Sequence, residues 1–404
     1  MAQFQQEDLE AMPEPLDAQS EGEEDLDQAG LQRLNEAVVS GSDWTTETIL
    51  RQLERGNIIL NPDYQRRDAW RAARKSRFIE SLILGLPIPQ LVLAENRGKK
   101  GTFIVIDGKQ RLLSLRQFAS SPEDTDYPQL TLEGLEVRKD LNGQTIQTLE
   151  SDSNFAADLT VFQNQTIRTV VIKAWPNESV LYLIFLRLNT GSVQLSPQEL
   201  RRALHPGPFV SFADQRSASM VGLQRILKTT KPDFRMRDVE LLVRYYAFRN
   251  YLSDYKGNLK GFLDSACKTL NGEWDARERE LKKQADELET AIDTTFKVFG
   301  DRNAFRKWDG SKYEGRFNRA IYDVMTFYFS DSAVRRRAVG AKVDVEKDFK
   351  KLCSSNGDFV KSIEVTTKSI EATVTRLSIW GKTLAKRCQQ AIVVPRLVGN
   401  SIRL

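Results

Sequence analysis

Histidine is almost absent from this sequence, since its 404 residues include only His205. A Ser–His–Asp triad, a histidine-rich zinc site and a histidine-metal nuclease each need either more histidines or a partner motif that the chain lacks. Cysteine is also scarce. Cys267, Cys353 and Cys388 are far apart and odd in number, so they indicate neither a disulfide framework nor a zinc module.

Long apolar runs and common nucleotide-binding motifs are missing as well. No apolar stretch approaches the roughly 20 residues that span a bilayer, and the N-terminus has neither the positive start nor the apolar stretch of a secretory signal. The sequence therefore predicts a cytoplasmic protein without a membrane partner. There is no G-x-x-x-x-G-K-[ST] motif and no G-x-G-x-x-G after a strand, which excludes a P-loop and a dinucleotide fingerprint.

Basic residues are absent from residues 1–30, which carry ten acidic ones. With those ten removed, 59 basic residues face 45 acidic ones, a net charge of +14 over residues 31–404. An acidic tail with few aromatics is typical of a disordered, solvating segment. The alternative is a tail that screens a basic surface from nucleic acid. A polyanionic partner, DNA above all, fits a body of this charge.

The pattern along the chain predicts two kinds of structure. Short apolar segments at 91–94, 102–106 and 167–176 predict strands, the first two as a hairpin, and helices lie between them. Residues 120–165 are polar and predict an irregular insertion or a small sheet. From about residue 210 onward the apolar spacing is helical almost throughout, including one helix across 359–380. Two further expectations are a helix that Pro87 and Pro89 end, and a helix capped by Ser196 with Pro197 at its first position.

The stretch "TFIVIDGKQRLLSLRQF" (102–118) combines a strand, an Asp-Gly turn and a helix that begins with Lys-Gln-Arg. One interpretation is local: Asp107 caps the helix and Gln110 completes a capping box. Capping explains neither Gly108 nor the cations Lys109 and Arg111, which lie at the positive end of the helix dipole. Free backbone N–H groups, a glycine that permits close approach and two cations suit an anion. The pattern thus favours a phosphate-binding turn.

Three other clusters are candidates for binding, each with a structural alternative. "YQRRDAW" (64–70) mixes guanidinium and aromatic groups suited to phosphates and bases, although Tyr64 and Trp70 would serve equally well to anchor a loop. "RLNTG" (187–191) supplies Asn189, which is also normal at a helix end. The basic run Arg335, Arg336 and Arg337 suits a nucleic-acid backbone or a solvated helix face.

These pieces, in this order, resemble a known family. "NPDYQRRDAW", "SRFIESLILGLPIPQLVL", "VIDGKQRLLSL" and "FLRLNTGSVQLSPQELRRAL" are similar to the N-terminal domain of GmrSD-type restriction proteins, a branch of the ParB/sulfiredoxin-like fold, over roughly residues 45–265. The family's Asp-Gly-Gln-Gln-Arg motif corresponds to residues 107–111, and its Tyr-Gln-Arg motif to residues 64–66. The resemblance implies a nucleotide-binding, often nucleotide-hydrolysing module used in bacterial defence against phage or foreign DNA.

Two departures from the family accompany the resemblance. Lys109 stands where the family has its first Gln, a replacement that keeps phosphate affinity and weakens the case for hydrolysis. Many relatives also carry a histidine-rich HNH nuclease domain, which a chain with His205 alone cannot contain. If DNA is cut, either the N-terminal module or a separate partner protein, such as a nuclease of the same defence operon, must cut it.

The sequence therefore predicts an α+β protein. It would have an acidic tail (1–30), a ParB/sulfiredoxin-like α/β domain (31–205) that handles nucleotide and DNA, and a mainly α-helical domain (206–404). A homo-oligomer is compatible with it. The expected ligand is an NTP, with Mg²⁺ as its accompanying ion. The residues predicted to be catalytic are Asp107, Gln110 and Arg111. The residues predicted to bind nucleotide or phosphate are Tyr64, Gln65, Arg66, Gly108, Lys109, Arg111 and Asn189.

Three hypotheses about function follow. In the first, the protein is an NTP-hydrolysing defence module that acts on DNA: Arg111 and Lys109 hold phosphates, Arg66 is a second clamp, and Asp107 orients a metal or water or supports the turn. In the second, the protein is a nucleotide-sensing DNA-binding switch without turnover. In the third, the N-terminal module is itself a DNA nuclease.

Overall fold

The computed structural model describes residues 32–60, 68–188, 196–365 and 367–404. The described chain divides into two compact units, of which the first ends at Leu204 and the second begins at His205. The first unit is mixed α/β and the second is mostly helical, as the sequence predicts. Among the helices so described, none combines the length and the apolar character needed to cross a membrane.

The first unit contains five strands and seven α-helices in its described part. The strands are β1 (Val38–Thr45), β2 (Ile58–Ile59), β3 (Leu91–Glu95), β4 (Phe103–Asp107) and β5 (Thr166–Lys173). The helices are α1 (Thr46–Glu54), α2 (Ala72–Ile83), α3 (Lys109–Phe118), α4 (Ile146–Ser151), α5 (Ala156–Asn164), α6 (Glu178–Leu188) and α7 (Pro197–Leu204).

The five strands form one mixed sheet in the order β1-β5-β3-β4-β2. β3 pairs with β4 in antiparallel fashion, so the predicted hairpin is confirmed. β5 lies parallel to β3 and antiparallel to β1. β3 and β4 are therefore inner strands, which agrees with their nearly continuous apolar sequences.

The apolar face predicted for α2 is confirmed, because Phe78, Ile79, Leu82 and Ile83 are all buried. The end of this helix differs from the prediction. α2 ends at Ile83, and Gly85 follows in the left-handed region with φ of 67°. Glycine there stops the helix before Pro87 is reached.

Two features of the first unit differ from the sequence prediction. β1 was not predicted, because its sequence "VVSGSDWT" has no alternation and is mostly exposed at the edge of the sheet. Residues 120–165 form short helical segments and, as described, no strand, so the predicted small sheet is wrong. The longest of these segments, α5, buries only Phe162, and a helix with one buried residue leaves no periodic signal.

The second unit consists of ten described α-helices and a short hairpin. The helices are α8 (Pro208–Ser219), α9 (Val221–Leu227), α10 (Arg237–Tyr251), α11 (Leu259–Gly272), α12 (Trp274–Phe299), α13 (Arg319–Phe329), α14 (Ser332–Gly340), α15 (Lys342–Ser355), α16 (Gly357–Glu364) and α17 (Ile370–Cys388). The strands are β6 (Arg396–Val398) and β7 (Ser401–Arg403), paired in antiparallel fashion. This hairpin was not predicted.

The helix predicted across 359–380 is wrong, since the structure has α16 and α17 there instead. The carbonyls near the end of α16 bind side chains rather than a continuing helix: Asn318 Nδ2 donates to the Ile363 carbonyl at 2.9 Å, and Arg376 Nη1 donates to the Ser362 carbonyl at 3.3 Å. The Ser369 hydroxyl then caps α17 by accepting from the Ala372 N–H at 3.1 Å. Apolar spacing continues through the break, so it cannot reveal these caps.

Candidate functional site: the turn between β4 and α3

The turn after β4 is built around Gly108, which has φ of 98° and ψ of 10°. A Cβ atom at this position would lie 2.3 Å from Leu91 Cδ2, on the neighbouring strand. Both the left-handed backbone and the contact exclude larger residues. Glycine therefore allows the chain to pass from β4 directly into α3, so that the N-terminus of the helix lies at the end of the strand.

Asp107 is the last residue of β4, and 31% of its side chain is exposed. Its Oδ1 accepts a hydrogen bond from the Gly108 N–H at 2.7 Å, and its Oδ2 accepts one from Arg111 Nη2 at 3.1 Å. The predicted capping box is wrong, because the N-cap of α3 is Gly108 and no side chain caps this helix. The glycine that the turn requires takes the capping position, which leaves Asp107 one residue too early.

Arg111 is buried in the first turn of α3. Its two described hydrogen bonds both leave from Nη2, one to Asp107 and one to the Gln90 carbonyl at 2.9 Å. Its Nε is buried and has no hydrogen-bond partner among the described residues. An unused donor on a buried guanidinium is costly, so this nitrogen is a place where a ligand atom would gain binding energy.

Gln110 adds a second unused polar atom in the same helical turn. Its side chain is buried, and its Oε1 has no hydrogen-bond partner within the described part of the chain. Residues 110 and 111 thus present one unsatisfied acceptor and one unsatisfied donor. Such pairs are unusual in protein interiors, where most buried polar atoms have a partner.

Lys109 has a protein partner. Its Nζ forms an ion pair with Glu199 Oε1 of α7, and the two side chains are only 5% and 4% exposed. Glu199 also belongs to a capping box: its Oε2 accepts from the Ser196 N–H at 2.7 Å, and its own N–H donates to Ser196 Oγ at 3.1 Å. The predicted cap at Ser196 and Pro197 at the first helical position are confirmed.

The first turn of α3 therefore holds two cations that the protein itself partly neutralises. Asp107 faces Arg111, and Glu199 faces Lys109. The role of these cations in holding phosphates stays a prediction. The carboxylate of Glu199 was not predicted as part of this site, although "SPQE" (196–199) shows a capping box in the sequence. Only the fold shows that its second oxygen reaches Lys109.

Tyr64, Gln65, Arg66 and Asn189, which the sequence predicts as ligand-binding residues, lie outside the described residues. Trp70 lies within them and packs on the core of the first unit. Its ring meets Phe78 edge-on at 6.0 Å, and the guanidinium of Arg74 lies 4.8 Å from its centre. The structural alternative for Trp70, an anchor to the core, is therefore confirmed.

The basic run of the second unit divides into two kinds of residue. Arg335 Nη1 donates to the carbonyls of Phe329 and Ser330, both at 2.8 Å, and so caps the end of α13. Arg336 and Arg337 are exposed on α14. Contact of the latter two with a nucleic-acid backbone stays a prediction, whereas Arg335 has a structural function.

The comparisons with known proteins bear on the first unit. Residues 46–206 match the family described as "GmrSD restriction endonuclease, N-terminal domain". No curated protein and no solved structure matches the chain. The matched segment begins with α1, includes the turn at Gly108 and continues past α7. Residues 46–206 of this chain are therefore an N-terminal domain of the GmrSD restriction endonuclease family.

Proposed function

We propose that this protein is a restriction-like phage-defence protein whose GmrSD domain binds and hydrolyses a nucleoside triphosphate at the N-terminus of α3 and acts on or senses DNA. The restriction-like class comes from the family match over residues 46–206. DNA is the expected partner because of that family, and the net charge of +14 over residues 31–404 suits a polyanion.

One observation carries the nucleotide part of the proposal. Gln110 Oε1 and Arg111 Nε are both buried and unpaired among the described residues, directly after Gly108. A nucleotide supplies what each atom lacks, because phosphate oxygens accept hydrogen bonds and ribose hydroxyls donate them. The helix N-terminus adds backbone N–H groups and a positive dipole.

Asp107 would assist the reaction in this proposal. It is the carboxylate of the turn, it is partly exposed, and each of its oxygens has a lone pair beyond its one described hydrogen bond. A carboxylate of this kind fits a Mg²⁺ that accompanies a triphosphate, and such an ion would neutralise phosphate charge. Asp107 itself orients the Arg111 guanidinium towards the turn.

The experiment is a screen of NTP binding and hydrolysis by the purified full chain, with and without DNA. Arg111→Ala should lower turnover by about 100-fold, as loss of one well-placed donor to a developing charge does. Arg77→Ala is the matched control, because Arg77 is exposed on α2 in the same unit. Circular dichroism and urea unfolding of Arg111→Ala verify that the variant is folded.

The outcomes separate the parts of the proposal. Turnover that falls in Arg111→Ala and persists in Arg77→Ala supports a hydrolase. Tight binding without turnover, in the presence and absence of DNA, removes the enzymatic part and leaves a nucleotide sensor. Absence of binding to every NTP tested contradicts the site itself.

A specific contact favours that sensor as a second candidate. Lys109 occupies the position of the first Gln in the family motif, and it is held in a buried ion pair with Glu199. A cation already neutralised gains less from a transition state that develops negative charge. The sensor predicts salt-dependent DNA binding that a non-hydrolysable NTP analogue changes. DNA affinity that no nucleotide alters would contradict it.

A further inference from the structure

A second buried polar cluster lies within the helical unit, away from the GmrSD domain. Arg244 of α10 donates from Nε to Asp323 Oδ1 at 3.1 Å and from Nη2 to Asp323 Oδ2 at 2.5 Å. Arg376 of α17 brings its Nη2 within 3.8 Å of the same Oδ2. All three side chains are buried, so two guanidiniums share a single carboxylate of α13.

This sharing leaves one positive charge uncompensated in the interior, because arginine stays protonated in proteins. Glu240 does not supply the missing negative charge, since it pairs with Arg319 at 3.1 Å. Burial lowers the pKa of Arg376, while Asp323 opposes that effect. A buried charge needs an opposite charge and full hydrogen bonding to be tolerated.

The two arginines also line a cavity of about 10 Å³. Arg244 Nη1 and Arg376 Nε are buried and lack a hydrogen-bond partner in the described part of the chain. A cavity of this size holds about one particle as large as water. The remaining lining residues are Phe248, Tyr255, Leu259, Ala320, Thr367 and Lys368.

The other polar groups of the wall do not replace a ligand. The Tyr255 hydroxyl donates to the Lys368 carbonyl, and Arg376 Nη1 donates to the Thr367 carbonyl at 2.6 Å. No acidic side chain lines the cavity, and Lys368 adds a further cationic residue to the wall. Two unused N–H donors and an excess of positive charge therefore meet in one small space.

We propose that this cavity binds a small monovalent anion, with chloride as the probe, between the guanidiniums of Arg244 and Arg376. Its size and its two inward N–H donors suit a single spherical ion. A water molecule would satisfy the hydrogen bonds but would leave the charge uncompensated. Phosphate and nucleotides are too large for a cavity of this volume.

The test is thermal unfolding of the full chain at constant ionic strength, with gluconate replaced stepwise by chloride. An anion that binds only the folded state raises the melting temperature in a saturable manner, by about 3 to 6 °C at tenfold its Kd for a unit of this size. Arg376→Met should abolish this rise. Arg279→Met is the matched control, because Arg279 is exposed on α12 and should retain it.

A second measurement covers the case in which Arg376→Met does not fold. Crystals of the unchanged protein grown or soaked in bromide should show anomalous scattering between Arg244 and Arg376. Equal chloride dependence in both variants, or bromide found only on the surface while this cavity holds water, would overturn the proposal. Neither result depends on nucleotide binding, so the proposed function of the GmrSD domain is tested separately.

Discussion

Gly108 is the residue on which the geometry of the turn most directly depends. Gly108→Ala places a Cβ at φ of 98° and 2.3 Å from Leu91 Cδ2. Left-handed backbone strain of about 1 kcal/mol and overpacking of about 1–3 kcal/mol add, so we expect a loss of about 2–4 kcal/mol. Urea unfolding of the purified variant measures it.

Gly143→Ala is the matched control for this prediction. Gly143 also has a positive φ, of 85°, but nothing lies within 4 Å of its Cβ position. This variant should lose only the backbone contribution, about 1 kcal/mol. Equal losses for the two variants would show that the contact with Leu91 relaxes freely and that the turn is less tightly specified than the structure indicates.

The three cysteines give a prediction about reactivity. All are buried, and burial raises the pKa of Cys353 to about 11 and raises that of Cys388 as well. Below these raised values the thiol is protonated, and only the thiolate reacts. Iodoacetamide at about pH 7.5 should modify none of Cys267, Cys353 and Cys388 in the folded protein, and all of them in denaturant. Mass spectrometry that finds any of them alkylated under native conditions would refute this.

At the scale of the elements, one ion pair joins α3 to α7. Lys109→Met or Glu199→Gln alone leaves a buried charge without its partner, and each should cost about 3–5 kcal/mol. The double variant removes both charges and should cost less than the two singles added together. Urea unfolding of the four proteins completes the cycle.

The control for this cycle is Ser196→Ala, which removes the cap of α7 and keeps the ion pair. Loss of such a cap costs about 1 kcal/mol. Additive losses for Lys109→Met and Glu199→Gln would mean that the two side chains are solvated independently, and Lys109 would then be available to a phosphate without breaking an internal bond.

The predictability of an element depended on how strongly it is patterned. The hairpin of β3 and β4 and the buried face of α2 were predicted, because consecutive apolar residues or helical spacing mark them in the sequence. β1 and α5 were not, since a largely exposed edge strand and a helix with one buried residue have little pattern to detect. The break between α16 and α17 escaped detection because Asn318 and Arg376, distant in sequence, supply its caps.

At the scale of the whole molecule, the charge distribution gives a prediction about DNA. Residues 1–30 carry ten carboxylates and no basic residue. Removing them should tighten non-specific DNA binding several-fold at low salt, because a competing polyanion is lost, and the difference should shrink as salt is raised. Fluorescence anisotropy with a labelled duplex measures this.

A full-length variant with those ten carboxylates changed to amides separates charge from length. It should behave like the truncated chain if the tail acts electrostatically. Unchanged affinity in both proteins would leave the tail as a solvating segment, which is the alternative that its composition also permits.

The sequence by itself determined the mixed first unit, the helical second unit, the turn at Gly108 and the exclusion of histidine-based chemistry. These follow from composition, periodicity and turn chemistry, which act over a few residues. Only the tertiary structure decided that Lys109 pairs with Glu199, 90 residues away, and that Arg244 and Arg376 share Asp323. The partner of a buried charge depends on which elements the hydrophobic core brings together, and no local pattern encodes that choice.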